Sequence, residues 1–282
     1  MRRLLSRHES AARSRGSSGR AGSGLSSMTA DSSIYDSERV AAAYAFTRPP
    51  VHRHLVARLP GYLSRPGPMA TALDIGCGAG MSTAALALVA KRTVGLEPHR
   101  PMLAHSGRVA PAAVFCVGRA EALPFSPGAF DLVTAAGVLN YADVALSLGE
   151  VARVLSAHGL FAPYDFSAGR RIRDDPRLAD WHAEFQAHFP SPPGYALDLR
   201  ALDYRAHGLA LAGYEEIEVG IAMSLAQYID YLLGEAGVEM ALRGGGQEAQ
   251  VRAYCEAGLA GIFASGPREV VFDAQLAVAR AM

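Results

Sequence analysis

Short apolar runs alternate with helix-length amphipathic segments through the middle of this chain. The runs "TALDIG" (71–76), "RTVGLEP" (92–98), "AVFCVG" (113–118), "FDLVTAAGVL" (130–139) and "GLFAPYDFS" (159–167) read as strands. Between them, 81–90, 99–110 and 144–155 carry helical spacing. Strands alternating with helices of about a dozen residues predict a parallel sheet covered on both faces. Two more strands, 215–224 and 268–280, bring the expectation to a mostly parallel, seven-stranded α/β sheet. Ahead of it, 36–47 and 50–63 read as helices broken at Pro49-Pro50.

Beyond residue 167 the alternation loosens. Segment 197–214 reads as a helix stopping at Gly213, and two helical inserts, 168–196 and 225–264, interrupt the sheet pattern. Inserts of that size commonly act as lids over a site. The expected organisation is an N-terminal extension over 1–30 and a single domain over 31–282, with helices at 35–63 ahead of the sheet. The extension holds six arginines, one acid and no core-forming periodicity, so disorder is expected there. Its composition also suits an organellar transit peptide. The preferred reading is that Met28 is the true start and that 1–27 are dispensable.

Composition narrows the function classes. There are 282 residues with 27 acidic and 27 basic side chains, and Lys91 is the only lysine. No basic excess favours a phosphate backbone, so no nucleic-acid partner is expected. Cys77, Cys116 and Cys255 are far apart and form no C-x-x-C, so neither a disulfide framework nor a metal site is expected. No apolar run reaches membrane-spanning length, and a cytoplasmic location is expected.

The first strand runs into "GCGAG", with Gly76, Gly78 and Gly80 at every second position, and a helix follows at once. Strand, glycine turn and helix open a doubly wound, Rossmann-like nucleotide-binding fold. Gly76 and Gly78 would let the backbone approach a ligand, and Gly80 would let the helix start tight against the strand. The second strand ends in Glu97, 23 residues after Asp74. An acid there is the expected partner of ribose hydroxyls. The glycine spacing departs from G-x-G-x-x-G, and neither G-x-x-x-x-G-K-[ST] nor G-x-S-x-G occurs. An adenosine cofactor without a diphosphate fits best.

Here the chain resembles the class I S-adenosylmethionine-dependent methyltransferases, and among them the small-molecule group that includes quinone C-methyltransferases. "LDIGCGAG", "VGLEPHRPML", "GRAEALPFSPGAFDLV" and "EVARVLSAHGLFAPYDFS" match four family motifs in order. "YDSERVAAAYAFTRP" is loosely similar. The resemblance implies S-adenosyl-L-methionine as cofactor. Asp74, Gly76, Gly78, Gly80, Glu97, Met102, Arg119, Ala120, Tyr35 and Tyr44 would then form its site. Glu97 would take the ribose, Met102 would pack on adenine, and the tyrosines would reach the methionine tail. Arg119 departs from the family, which usually has an aspartate there to accept from the adenine amino group. Arginine has no acceptor, so that contact would fall to the Ala120 amide.

A sulfonium methyl is already electrophilic, so the protein need only align a nucleophile and exclude water. The fourth strand ends in "TAAGVLNYAD" and lacks the [DN]-P-P-[YF] run used on nucleic-acid bases. A small-molecule O, N or C acceptor is therefore expected. No catalytic base is assigned; His182, His188 and Asp165 are weak candidates, and His52 and His54 flank Arg53 beside the proline pair. Trp181, Phe185 and Tyr228 are expected to wall the acceptor pocket. A methyltransferase-like binding protein without turnover and a nicotinamide-dependent oxidoreductase remain alternatives. The glycine spacing and the lack of a Tyr-x-x-x-Lys pair disfavour the second.

Overall fold

The computed structural model describes residues 32–63, 67–191 and 197–282. The expectations for 1–30 and for Met28 lie outside the described residues.

The strands are β1 (Met69–Ile75), β2 (Ala90–Glu97), β3 (Val114–Val117), β4 (Phe130–Ala136), β5 (Leu155–Phe166), β6 (Arg171–Ile172), β7 (Leu209–Met223) and β8 (Arg268–Ala281). They form one sheet ordered β3-β2-β1-β4-β5-β8, with β7 and the two-residue β6 both paired to β8. β1 to β5 run parallel, and β8 is antiparallel to each neighbour. β6 is the strand that the sequence pattern did not show. Chain order proceeds outward from β1 through β2 to β3, then returns to β4 on the other side of β1. That reversal opens a crevice at the carboxyl ends of β1 and β4, where a doubly wound sheet binds its ligand.

Between the strands lie α1 (Glu38–Phe46), α2 (Val51–Val56), α3 (Met81–Leu86), α4 (Ser106–Val109), α5 (Val144–Val154), α6 (Arg177–His188), α7 (Leu225–Leu233), α8 (Ala236–Arg243) and α9 (Glu248–Leu259). Their starts follow local capping chemistry. Ser37 accepts from the Val40 amide, Asp143 from the Leu146 amide, and Ser224 and Gln227 form a reciprocal capping box on α7. The apolar faces divide into two cores. One gathers Leu55 and Leu86 with Leu178, Phe185, Leu232 and Leu259, so α2, α3 and α6 to α9 cover one face of the sheet. The other gathers Leu148 and Val151 of α5 with Leu199 and Tyr204. No helix among the described residues is long and apolar enough to cross a membrane.

Segment 197–214 corrects the sequence reading. It holds two short 3-10 turns, Leu199–Ala201 and Arg205–His207, and then enters β7. β7 pairs with β8 from Leu209↔Ala281 to Met223↔Arg268. That long antiparallel ladder outweighs the helical propensity of its leucines and alanines. Gly213 marks a bulge in the ladder, and any side chain there would overlap the Tyr62 ring.

The inserts pack on each other closely. A β-carbon on Gly237, in the first turn of α8, would overlap the Phe189 carbonyl oxygen just past α6. Gly237→Ala is expected to destabilise the protein by about 1–3 kcal/mol, because backbone cannot move aside as a side-chain tip can. Thermal or urea unfolding measures it, and an unchanged midpoint would contradict this packing.

Candidate functional site

The crevice is built from Asp74 upward. Its side chain is fully buried at the end of β1, where it accepts from Ser82 Oγ at 2.5 Å, Thr83 Oγ1 at 2.7 Å and Thr134 Oγ1 at 2.9 Å. Burial pushes its pKa up to about 6, against the pull of those three hydroxyls. Asp74 was expected at the cofactor surface. The structure places it beneath the turn, with no surface left to offer a ligand.

All three glycines of the turn adopt left-handed φ, +65° at Gly76, +53° at Gly78 and +96° at Gly80. That conformation alone selects glycine. Surroundings then distinguish them. A β-carbon on Gly76 would collide with Val138, and one on Gly80 would crowd Phe115 and Ser106, as expected for a helix starting tightly. Gly78 would meet only Met102 Cε at 3.4 Å, so its outer side has the most space.

Glu97 ends β2 beside this turn and is only 6% exposed. Oε2 accepts from the Gly78 amide and Oε1 from the His99 amide, both at 3.0 Å. Burial raises its pKa, and those two amides hold the rise back. Each carboxylate oxygen has two lone pairs, so one on each remains for a hydroxyl donor. His99 continues outward, donating from Nδ1 to Asp36 Oδ1 at 2.9 Å and lying 5.8 Å from the Tyr35 ring centroid.

Met102 is buried against Val40 and Ala41 of α1, with Tyr35 and Tyr44 packed around them. Tyr35 meets Tyr44 and Tyr141 edge to face, at 6.2 and 6.0 Å. The amino-terminal helix thus closes over the turn. Ala120 is buried in the second core, whereas Arg119 projects to solvent with Glu121 Oε2 3.5 Å away.

Asp165, at the end of β5, accepts from Asn140 Nδ2 at 2.7 Å and from the Phe166 amide at 2.8 Å. Burial raises its pKa. Gly137 at +67° and Asn140 bring the loop after β4 against it, around a small cleft closed by Leu139 and Leu199. The two histidine candidates separate. His188 is exposed and bonds the Glu184 carbonyl oxygen four residues back on its own helix, which places it outside the crevice. His182 is buried, and burial together with Arg170 holds its imidazole down at about 4. A neutral imidazole that weakly basic is a poor proton acceptor at pH 7.

Trp181, Phe185 and Tyr228 correct the expected pocket wall. Trp181 stacks on Phe185 at 5.3 Å and lies against α9, where a side chain on Gly258 would strike the indole. Tyr228 is fully buried, stacks on Phe263 and donates to the Gly169 carbonyl oxygen at 2.6 Å. All three belong to the core joining the inserts to the sheet. Helical spacing of aromatics marks burial, and it did not distinguish a packed interior from a pocket face. The residues that sequence reasoning missed are Asn140, Tyr141, His99 and Arg48. For the first two the signal was available in "GVLNYAD", directly after the fourth strand.

Comparison with known proteins agrees with this geometry. Residues 73–162 match a family model described as a methyltransferase domain. The uncharacterised methyltransferase YcgJ of Bacillus subtilis is 30% identical over 139 residues, 41% of this chain and 55% of that protein. A demethylmenaquinone methyltransferase of Beutenbergia cavernae is 34% identical over 105 residues, 37% of this chain and 43% of that protein. The chain spans about half the length of the curated relatives it matches. An Anaeromyxobacter dehalogenans structure provisionally described as a Type II methyltransferase shares the fold, with a TM-score of 0.59 at 20% identity, over 81% of this chain and 95% of that one.

Two tests follow from these positions. The Asp74 carboxyl has a higher pKa folded than unfolded, so the folded state holds more protons there between about pH 4 and 6. Its contribution to stability must then fall as pH rises through that window and level off above it. Asp74→Asn lacks this component, so it should appear, at up to about 3 kcal/mol, as a slope in the wild-type-minus-mutant stability curve measured by urea unfolding. A difference curve without slope between those values would refute the burial argument. Trp181→Ala should lower stability by about 3–5 kcal/mol, as a large core truncation does. A melting temperature equal to wild type would return Trp181 to the pocket wall.

Proposed function

We propose that this chain, which carries the domain of the class I S-adenosylmethionine-dependent methyltransferases, binds S-adenosyl-L-methionine in the crevice above β1 and β4. It transfers the methyl group to a small-molecule acceptor beneath the helical inserts. The observation that carries this reading is the buried Glu97 carboxylate at the end of β2, clasped to the Gly78 amide and with one lone pair free on each oxygen. A ribose with two adjacent hydroxyls matches that pair of acceptors.

The residues fit the cofactor in kind. Glu97 would hold the ribose, Gly78 would give the close approach, and Met102 would form the apolar floor under the adenine. Tyr35 and Tyr44 would cover the methionine end. The cofactor supplies an activated methyl group when bound, and the chain's part is alignment and exclusion of water. Alignment of this kind is worth roughly 7–11 kcal/mol of barrier. Asp165 is the best-placed proton acceptor, since it lies at the crevice and burial raises its pKa toward neutrality. Asn140 fixes its rotamer. The small molecule rather than a nucleic acid is supported by the zero net charge.

Glu97→Ala removes two charge-assisted acceptors, each worth roughly 1.5–3 kcal/mol. Affinity for S-adenosylmethionine by calorimetry is expected to fall at least tenfold, with the variant still folded by circular dichroism though less stable, because the Gly78 and His99 amides lose their acceptor. Equal affinity in the variant would sink the assignment. Turnover over a metabolite panel then separates an enzyme from a protein that only binds the cofactor.

A further inference from the structure

Arg48 lies where the helical segments above the crevice meet. Its Nη1 donates to Glu235 Oε1 at 2.7 Å and its Nη2 to the Gly234 carbonyl oxygen at 3.3 Å. Its guanidinium carbon lies 4.2 Å from the Tyr44 ring centroid and 5.1 Å from that of Tyr231. These contacts occupy the outer edge and the ring-facing sides of the group. The Nε–H remains, and it is buried without an acceptor among the described residues. On α6, His182 Nε2 is likewise buried and unmatched. The orphaned donor lies beside the crevice by ring contacts: the guanidinium packs on Tyr44, Tyr44 meets Tyr35, and Tyr35 meets Tyr141 over the glycine turn.

More than nine in ten buried donors find a partner, and leaving one unmatched costs stability. A charged donor kept unmatched beside a crevice marks a position for a ligand atom. We propose that Arg48 determines acceptor specificity: its Nε–H receives a neutral carbonyl oxygen of the acceptor, a ketone or amide. This rests on the reading that an acceptor binds beneath the inserts. Charge selects the class. Glu235 already balances the guanidinium, so a carboxylate would find no uncompensated cation and would meet a like charge. A neutral oxygen takes the hydrogen bond without that repulsion.

The test uses the full chain saturated with S-adenosylhomocysteine and nitrogen-15 spectra of the arginine Nε–H groups. The Arg48 signal is identified by its contacts to the Tyr44 and Tyr231 rings and by its loss in Arg48→Lys. Acetophenone and acetamide are the carbonyl probes, cumene the apolar isostere and benzoate the anionic one. Saturable movement of the Arg48 signal is expected with a carbonyl probe, none with cumene, and at least tenfold weaker binding of benzoate. In Arg48→Lys the carbonyl probe should bind at least tenfold more weakly, with S-adenosylhomocysteine affinity within twofold. An Arg48 signal that ignores both carbonyl probes, or that favours benzoate, overturns the proposal, and the wild-type titration decides this even if the variant does not fold. Loss of S-adenosylhomocysteine binding in the wild-type sample would instead strike the proposed function itself.

Discussion

The crevice depends on one buried carboxylate. Asp74 ties the end of β1 to the first turn of α3 through Ser82 and Thr83, and to β4 through Thr134. A buried carboxylate is costly unless its lone pairs are filled. Three hydroxyls fill three of the four here, and the geometry they require sets where the chain turns. The glycine turn hangs between Asp74 and α3, so its left-handed residues are held by the anchor beneath them. Glu97 then closes from the neighbouring strand onto the Gly78 amide. The proposed ligand surface is thus the outer layer of a structure whose rigidity originates one layer down.

This layering explains why the two acids of the motif have different fates. Asp74 and Glu97 both end parallel strands and both are buried. Asp74 meets only hydroxyls of its own chain, which take three of its four lone pairs, and its full burial leaves the fourth out of a ligand's reach. Glu97 meets two backbone amides and keeps acceptor capacity on its outer side. Sequence spacing treats them alike; only the inventory of partners separates a carboxylate that builds the site from one that faces a ligand.

What was legible in the sequence follows the same division. The parallel strands, the glycine turn, Glu97 and the helix beneath Tyr35 and Tyr44 are local signals, set by periodicity and by φ, and the fold carries them. Segment 197–214 was misread because its fate is decided by β8, some 70 residues away, and non-local pairing leaves no local trace. Trp181, Phe185 and Tyr228 were misassigned for a related reason. Their spacing reports an apolar face, and whether that face meets a ligand or Gly258 and Phe263 depends on distant helices. The outward turn of Arg119 depends on a bridge to Ala122 and on Glu121, which its place in a motif does not reveal.

The inserts are held to the amino-terminal helix by an unusual means for so apolar a region. Arg39 donates to Glu239 and to the Leu233 carbonyl oxygen, while Arg48 donates to Glu235 and to the Gly234 carbonyl oxygen. Two cations thus meet the carboxyl end of α7, where unpaired carbonyls concentrate negative potential. Partly buried pairs of this kind add little net stability, because desolvation offsets much of the attraction. Their effect is geometric. Apolar packing alone would tolerate sliding of α1 over α7, whereas carbonyl and carboxylate acceptors fix one register. Fixing it places Tyr35 and Tyr44 over the glycine turn and the Arg48 guanidinium against the Tyr44 ring. The sheet therefore sets the glycine-turn side of the crevice, and these two arginines set where the helix covers it.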